Sequence, residues 1–165
     1  MQTSFDNKDL SARGFVGFQL LRQMPRRCQH IPSGSGIYVV TLEPPATGFL
    51  ARSVGGHFKG RNPTVTVPVL EARRLAGVPT LYIGRATNLR SRIDLLARYG
   101  RGEPVAHQGG RYLWQIAEHD SLRIAWKLDP DPHGAEAELL DEFEAAFGQL
   151  PLANLVRGSR ALLAA

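Results

Sequence analysis

Apolar positions in this chain fall into short runs broken by glycine and proline, and the runs carry two different periods. Three of them read as strands. Residues 36–42, Gly-Ile-Tyr-Val-Val-Thr-Leu, are almost wholly β-branched or aromatic and follow the turn Pro32-Ser33-Gly34-Ser35. A run that is apolar on both faces predicts a strand covered on both sides. Residues 80–84 place Tyr82 and Ile83 after the turn-prone Pro79 and stop at Gly84. Residues 122–128, Leu-Arg-Ile-Ala-Trp-Lys-Leu, alternate. Period two sets Leu122, Ile124, Trp126 and Leu128 on one face and Arg123, Ala125 and Lys127 on the other.

Two longer stretches read as helices. The first covers 88–99: Thr87 or Asn88 can cap it with a side-chain oxygen, and Gly100 stands where a glycine ends a helix. Arg92 lies one turn after Asn88 and points back toward the strand end. The second covers 135–147, with Leu139, Phe143, Ala146 and Phe147 as its apolar stripe, Glu138 and Glu142 one turn apart beside that stripe, and Gly148 at its close. A short helix is also expected at about 17–24, from Phe18, Leu20 and Leu21, ended by Pro25.

The remaining segments are polar or broken. Residues 1–13 are mixed and read as a loosely held arm. Residues 43–80 are interrupted by Pro44-Pro45, Gly55-Gly56 and Asn62-Pro63, with an alternating stretch at 64–67 that reads as an edge strand and a short helix at 69–75. A connection this long is usually functional or mobile, and His57, Lys59 and Arg61 would make a substrate-contacting loop. Residues 100–112 form a glycine-rich basic loop carrying His107, and 112–116 with Trp114 belong to the core. The expectation is an α+β domain: a small, mainly antiparallel three-stranded sheet flanked by helices. Residues 1–33 form an arm and short helix packed on it, 34–156 the domain with 43–80 inserted, and 157–165 a tail.

At 165 residues the chain has enough length for one domain with a proper core. No apolar run is long enough to span a membrane and none near Met1 resembles a signal peptide, so a cytoplasmic protein without membrane contact is expected. The single cysteine, Cys28, excludes an internal disulfide and a cysteine-based zinc cluster, and it reads as an inert thiol. The net charge is +5, and nearly all of the basic residues are arginine. A guanidinium offers a planar fork suited to phosphate, which favours a nucleic-acid partner over a neutral one.

Three separated pieces need a common explanation: Gly36-Ile37-Tyr38; Tyr82-Ile83-Gly84 with Asn88, Leu89 and Arg92; and Glu142 followed by Pro151 and Asn154. In this order they resemble the signature of the GIY-YIG nuclease family, over roughly residues 34–156. That signature has two tyrosine tripeptides on neighbouring strands, an Asn-Leu pair opening a helix, an arginine four residues after the Asn, then a glutamate, and an asparagine three residues after a proline. The resemblance implies a metal-dependent endonuclease that hydrolyses DNA phosphodiester bonds with one Mg²⁺ or Mn²⁺. It assigns Tyr38 as general base, Arg92 as the holder of the scissile phosphate and the field that activates Tyr38, and Tyr82 as a positioning group. Glu142 becomes the metal ligand, with Glu138 as its rival one turn earlier, and Asn154 the residue that ties down the site. Arg85, Asn88, Tyr99 and His107 are further candidates for catalysis or phosphate binding.

The chain departs from the family in two places. Many members carry a histidine or tyrosine four residues after the arginine, where this chain has Leu96; Tyr99 or His107 would supply the missing group. The 43–80 connection is also far longer than the usual loop. These departures leave two alternatives open: a DNA-binding module without turnover, or a partner-dependent subunit that docks another protein through 43–80.

Overall fold

A computed structural model describes residues 3–107 and 109–155. The expected tail, 157–165, lies outside the described residues. The elements are helix α1 (Asn7–Ala12), strands β1 (Val16–Leu20) and β2 (Gly36–Thr41), helix α2 (Val67–Arg73), strand β3 (Thr80–Ala86), helix α3 (Leu89–Gly100), strand β4 (Arg123–Leu128) and helix α4 (Pro132–Phe147). The strands form one antiparallel sheet in the order β1-β4-β2-β3. The α+β class is as expected, but the sheet has four strands where the sequence suggested three.

The extra strand lies where a short helix was expected. Gly14 and Gly17 have φ of +96° and +106°, a backbone that no helix uses. Gly17 also leaves room for the Trp126 ring on β4, which a Cβ there would strike. The segment therefore pairs with β4, with a register shift between Gly17 and Gln19, and turns helical only in the short 3-10 stretch Leu21–Gln23. The N-terminal arm is likewise not loose. Phe5 and Leu10 are fully buried, the Thr80 hydroxyl donates to the Phe5 carbonyl at 2.6 Å, and the Thr41 hydroxyl donates to Asn7 at 2.8 Å.

Strand β2 is the centre of the molecule, and all six of its residues are buried. Its alternation feeds two cores. Ile37 and Val39 face a layer built from Phe5, Leu10, Leu139, Leu140 and Phe143. Tyr38 and Val40 face the layer of Leu89, Ile93, Leu96, Trp114 and Trp126. The two glycines flanking this arrangement are steric necessities. A Cβ at Gly36 would collide with the Lys127 carbonyl and the Leu89 side chain, and one at Gly84 with the ring and hydroxyl of Tyr38, its register partner.

The 43–80 connection is folded against its own domain. Leu50, Val54 and Gly56 donate backbone hydrogen bonds to the carbonyls of Gln115, Trp114 and Tyr99 at 2.7, 2.9 and 2.9 Å. The expected edge strand at 64–67 does not form. Pro63 and Pro68 remove donors on either side, and the buried Gln115 amide takes the place of a strand partner: it accepts from Val65 N at 3.0 Å and donates to Val65 O at 2.6 Å. Cys28 is buried with its thiol pushed up to about 11 by desolvation, which fits the reading of an inert residue. Among the described residues no helix is long and apolar enough to cross a membrane.

Candidate active site

A cavity of about 670 Å³ opens along the outer edge of β3, between the first turns of α3 and those of α4. Strand pairing brings Tyr38 and Tyr82 to one face with ring centroids 6.0 Å apart. Asn88 begins α3 by accepting a hydrogen bond from Ser91 N at 3.0 Å, so between Thr87 and Asn88 it is Asn88 that acts as the cap. One turn on, Arg92 enters the cavity wall beside Ser91 and Leu95. Gly109 and Arg111 close it from the 100–112 loop, and Asn154 closes it from the C-terminal segment.

The carboxylate of the site is not the expected one. Glu142 points away from the cavity, its side chain 53% exposed and bonded to Arg13 Nη1 at 2.7 Å. Glu138 is also exposed. Glu136 lines the cavity instead, buried, with Oε1 3.3 Å from Arg85 Nε. The helix starts at Pro132, earlier than expected. Asp131 caps it by accepting from Gly134 N at 3.1 Å, and Pro132 takes a first-turn position where its missing N–H costs nothing. Six helical residues rotate a side chain by about 240°, so Glu136 and Glu142 cannot serve the same site.

Asn154 is buried, and its side-chain amide mimics a neighbouring strand. It accepts from Ile83 N at 2.9 Å and donates to Ile83 O at 2.8 Å, satisfying the free edge of β3 beside Tyr82 and Gly84. Tyr99 does not reach the cavity. Its ring fills the space beside Gly55 and its carbonyl holds Gly56, so it anchors the long connection. Leu96 is fully buried under the 100–112 loop, where a Cβ at Gly110 would be 3.6 Å from Leu96 Cδ1. One at Gly109 would be 2.9 Å from the Tyr82 hydroxyl. The loop thus covers Leu96 and the Tyr82 hydroxyl.

The electrostatics are those of an anion site. Three arginines, Arg85, Arg92 and Arg111, line the cavity against one acid, Glu136. Among the described residues six buried side-chain polar atoms lack a hydrogen-bond partner, and four of these belong to Tyr38 (Oη), Arg92 (Nε) and His107 (both ring nitrogens). Burial raises the Tyr38 phenol above its usual value; the nearby Arg92 charge and the Tyr82 hydroxyl pull the other way without overcoming it. Tyr82 is pushed higher still, by desolvation and then by Tyr38. Both are neutral phenols in the free protein. Burial also raises Glu136, against the opposing pull of Arg85 and Arg92.

His107 is buried rather than a surface loop residue, and desolvation, with Arg92 adding to it, lowers its pKa to about 3. In the unfolded chain a histidine titrates near 6.5. Between those values the unfolded state binds the extra proton, so the stability contributed by neutral His107 is complete above pH 6.5 and is lost as pH falls toward 3. Thermal denaturation across that window should show the melting temperature falling with pH more steeply in the wild type than in His107→Phe.

The residues fit a bound phosphate better than a resident metal. Among the described residues Glu136 is the one carboxylate lining the cavity, and it is already paired with Arg85. Among the described residues no group of three histidine, cysteine or acidic side chains converges. Comparisons with family models, with curated proteins and with solved structures returned no match for this chain.

Proposed function

We propose that the chain is a DNA phosphodiesterase, an endonuclease of the GIY-YIG type. The observation that carries this reading is the pair of unspent buried atoms, Tyr38 Oη and Arg92 Nε, on residues that line a cavity with three guanidiniums, with the unpaired His107 ring close enough behind them to feel the Arg92 charge. Buried polar atoms are nearly always paired, and a cluster of unpaired ones calls for a ligand. The charge balance makes that ligand anionic, and the planar forks of Arg92 and Arg111 match phosphate oxygens.

Hydrolysis forms a bond from a water oxygen to phosphorus and breaks one ester P–O bond; the water gives up a proton and the leaving oxygen gains one. Arg92 would hold the non-bridging oxygens and stabilise the charge that builds on them. Tyr38, a neutral phenol fixed by the Gly84 backbone, would accept a hydrogen bond from the attacking water, and Tyr82 would orient it. Asn154 keeps the β3 edge, and with it Tyr82 and Arg85, in register. Cleavage is expected to require Mg²⁺ or Mn²⁺.

A second reading, a DNA-binding module without turnover, is favoured by one observation: among the described residues the cavity has a single acid, Glu136, and it is engaged by Arg85. Docking of another protein through 43–80 would use the exposed Arg52, His57, Lys59 and Arg61 of the otherwise anchored connection. The test is a cleavage assay on supercoiled plasmid and on branched and single-stranded oligonucleotides with Mg²⁺ or Mn²⁺. Wild type should cut, Glu136→Gln should lose about 10- to 100-fold, and Glu142→Ala should keep its activity. DNA binding with no cleavage of any substrate would favour the second reading.

A further inference from the structure

We infer that the cleft between the turn Arg26–Cys28 and α3 is a second phosphate site, and that a DNA duplex lies across α3 with one strand in the active-site cavity and the backbone of the other strand in this cleft. The inference deepens the phosphodiesterase reading and rests on it for the identity of the polyanion.

The cleft has a volume of about 230 Å³ and is lined by Arg26, Arg27, Asp94 and Arg98. Arg26 and Arg27 are exposed, and among the described residues neither guanidinium is ion-paired. The backbone of the turn is strained. Arg27 and Cys28 in succession have φ of +66° and +44°, a region that residues other than glycine seldom occupy. Buried Cys28 anchors the turn from within, and Arg27 N donates to Asp94 Oδ1 at 2.9 Å. Held in this way, the turn brings two adjacent guanidiniums into one cleft. Asp94 Oδ2 also lies 3.8 Å from Arg98 Nη1. A backbone N–H and a guanidinium thus already converge on one carboxylate, and phosphate uses the same kinds of donor. Positive charge stays in excess. Arg101 donates to the Met24 carbonyl, just before the turn, at 3.3 Å, and the other nearby acid, Glu103, bridges Arg98 and Arg101.

Helix α3 separates this cleft from the active-site cavity. Ser91 is exposed and marks its outward face. Arg92 lies about 100° to one side of Ser91 and Asp94 about 60° to the other. Arginines therefore flank the helix on both sides. A helix with its side chains is about 10–12 Å across, and the major groove of DNA is about 12 Å wide. The two backbones that border that groove can meet Arg92 on one flank and Arg26 and Arg27 on the other. A single strand has one backbone to offer, and proteins that grip single strands stack bases on open aromatic rings. Among the described residues every phenylalanine, tyrosine and tryptophan is buried or half-buried.

The test measures anisotropy of a labelled DNA duplex, and of a single strand of the same length, over a series of salt concentrations with divalent cations chelated. Arg26→Gln/Arg27→Gln should weaken duplex binding by about tenfold or more and reduce the slope of log K against log salt by about 2. Its binding of the single strand should match the wild type. Asp94→Asn keeps an oxygen for Arg27 N and removes the charge, so it should tighten duplex binding by about two- to fivefold. A purely structural Asp94 would give no gain. Lys8→Gln is the control: Lys8 belongs to α1, which packs on the opposite face of the sheet from α3, and the slope should not change. Circular dichroism checks that each variant is folded. Unchanged duplex binding in the double variant, an equal loss for the single strand, no gain in Asp94→Asn, or as large a slope change in Lys8→Gln overturns the inference. No turnover is involved. A protein that shows the duplex-specific loss but cuts no DNA keeps the second site and loses the phosphodiesterase reading. One that cuts duplex DNA while the double variant binds it equally well keeps that reading and loses the second site.

Discussion

Arg92→Ala should lower the rate of DNA cleavage by about 10²- to 10³-fold while the protein remains folded. Arg92 lines the cavity together with residues of β3, α3 and the 100–112 loop. Its Nε is buried without a partner and is available to an anion. In the transition state negative charge grows on the non-bridging oxygens, and a preorganised donor there acts with little reorganisation. Arg92→Lys should recover only a small part of the loss, because an ammonium cannot present two parallel N–H bonds to a phosphate. The variant has a second signature. Arg92 helps hold the Tyr38 phenol down and His107 neutral, so Arg92→Ala should raise the His107 pKa and shift the Tyr38 phenol further up. Imidazole resonances followed by NMR titration would read the first shift. Unchanged cleavage with an unchanged His107 titration would remove Arg92 from the site.

The parts of this site that the sequence revealed are those fixed by local chemistry. Gly36-Ile37-Tyr38 and Tyr82-Ile83-Gly84 are readable because strand, tyrosine and glycine each have a steric reason that acts over two neighbouring strands. Asn88 and Arg92 are readable because a cap fixes the helix phase. Glu136 lies inside the helix expected over 135–147; what was not legible is which face of that helix meets the cavity. Asp131-Pro132-His133-Gly134 looks like a turn, but an Asp cap followed by proline is also how a helix begins, and the second meaning prevails. Glu142, assigned by the resemblance, lies on the face turned away from the cavity. Arg111 and the buried state of His107 depend on a loop folding back over Leu96, which no local pattern encodes. Strand β1 was hidden because Gly14 before it and Gly17 within it break a helix only through positive φ, while its pairing depends on a free edge of β4 more than a hundred residues away.

Asn154→Ala should be the most destabilising single substitution near the site. The native amide satisfies both the N–H and the carbonyl of Ile83 in a buried setting, at 2.9 and 2.8 Å. Removing it leaves two backbone groups unpaired, a loss of about 2–4 kcal/mol, which in a domain of this size lowers the melting temperature by roughly 5–15 °C. The segment has other anchors. Ala153 N bonds the Leu81 carbonyl at 2.9 Å, and Arg73 of α2 donates to the carbonyls of Leu152 and Asn154 at 2.9 and 2.6 Å. These should keep it docked in the variant, so the β3 edge would fray locally while the fold survives. Arg73→Ala should cost less, since its guanidinium bonds only backbone carbonyls of the segment and leaves the Ile83 pair intact. Because Tyr82 and Arg85 flank Ile83, the frayed edge should also impair cleavage, and that part of the loss should shrink on cooling. A loss of activity in Asn154→Ala that is independent of temperature, with an unchanged melting temperature, would mean that the side chain acts on substrate directly rather than by holding the strand.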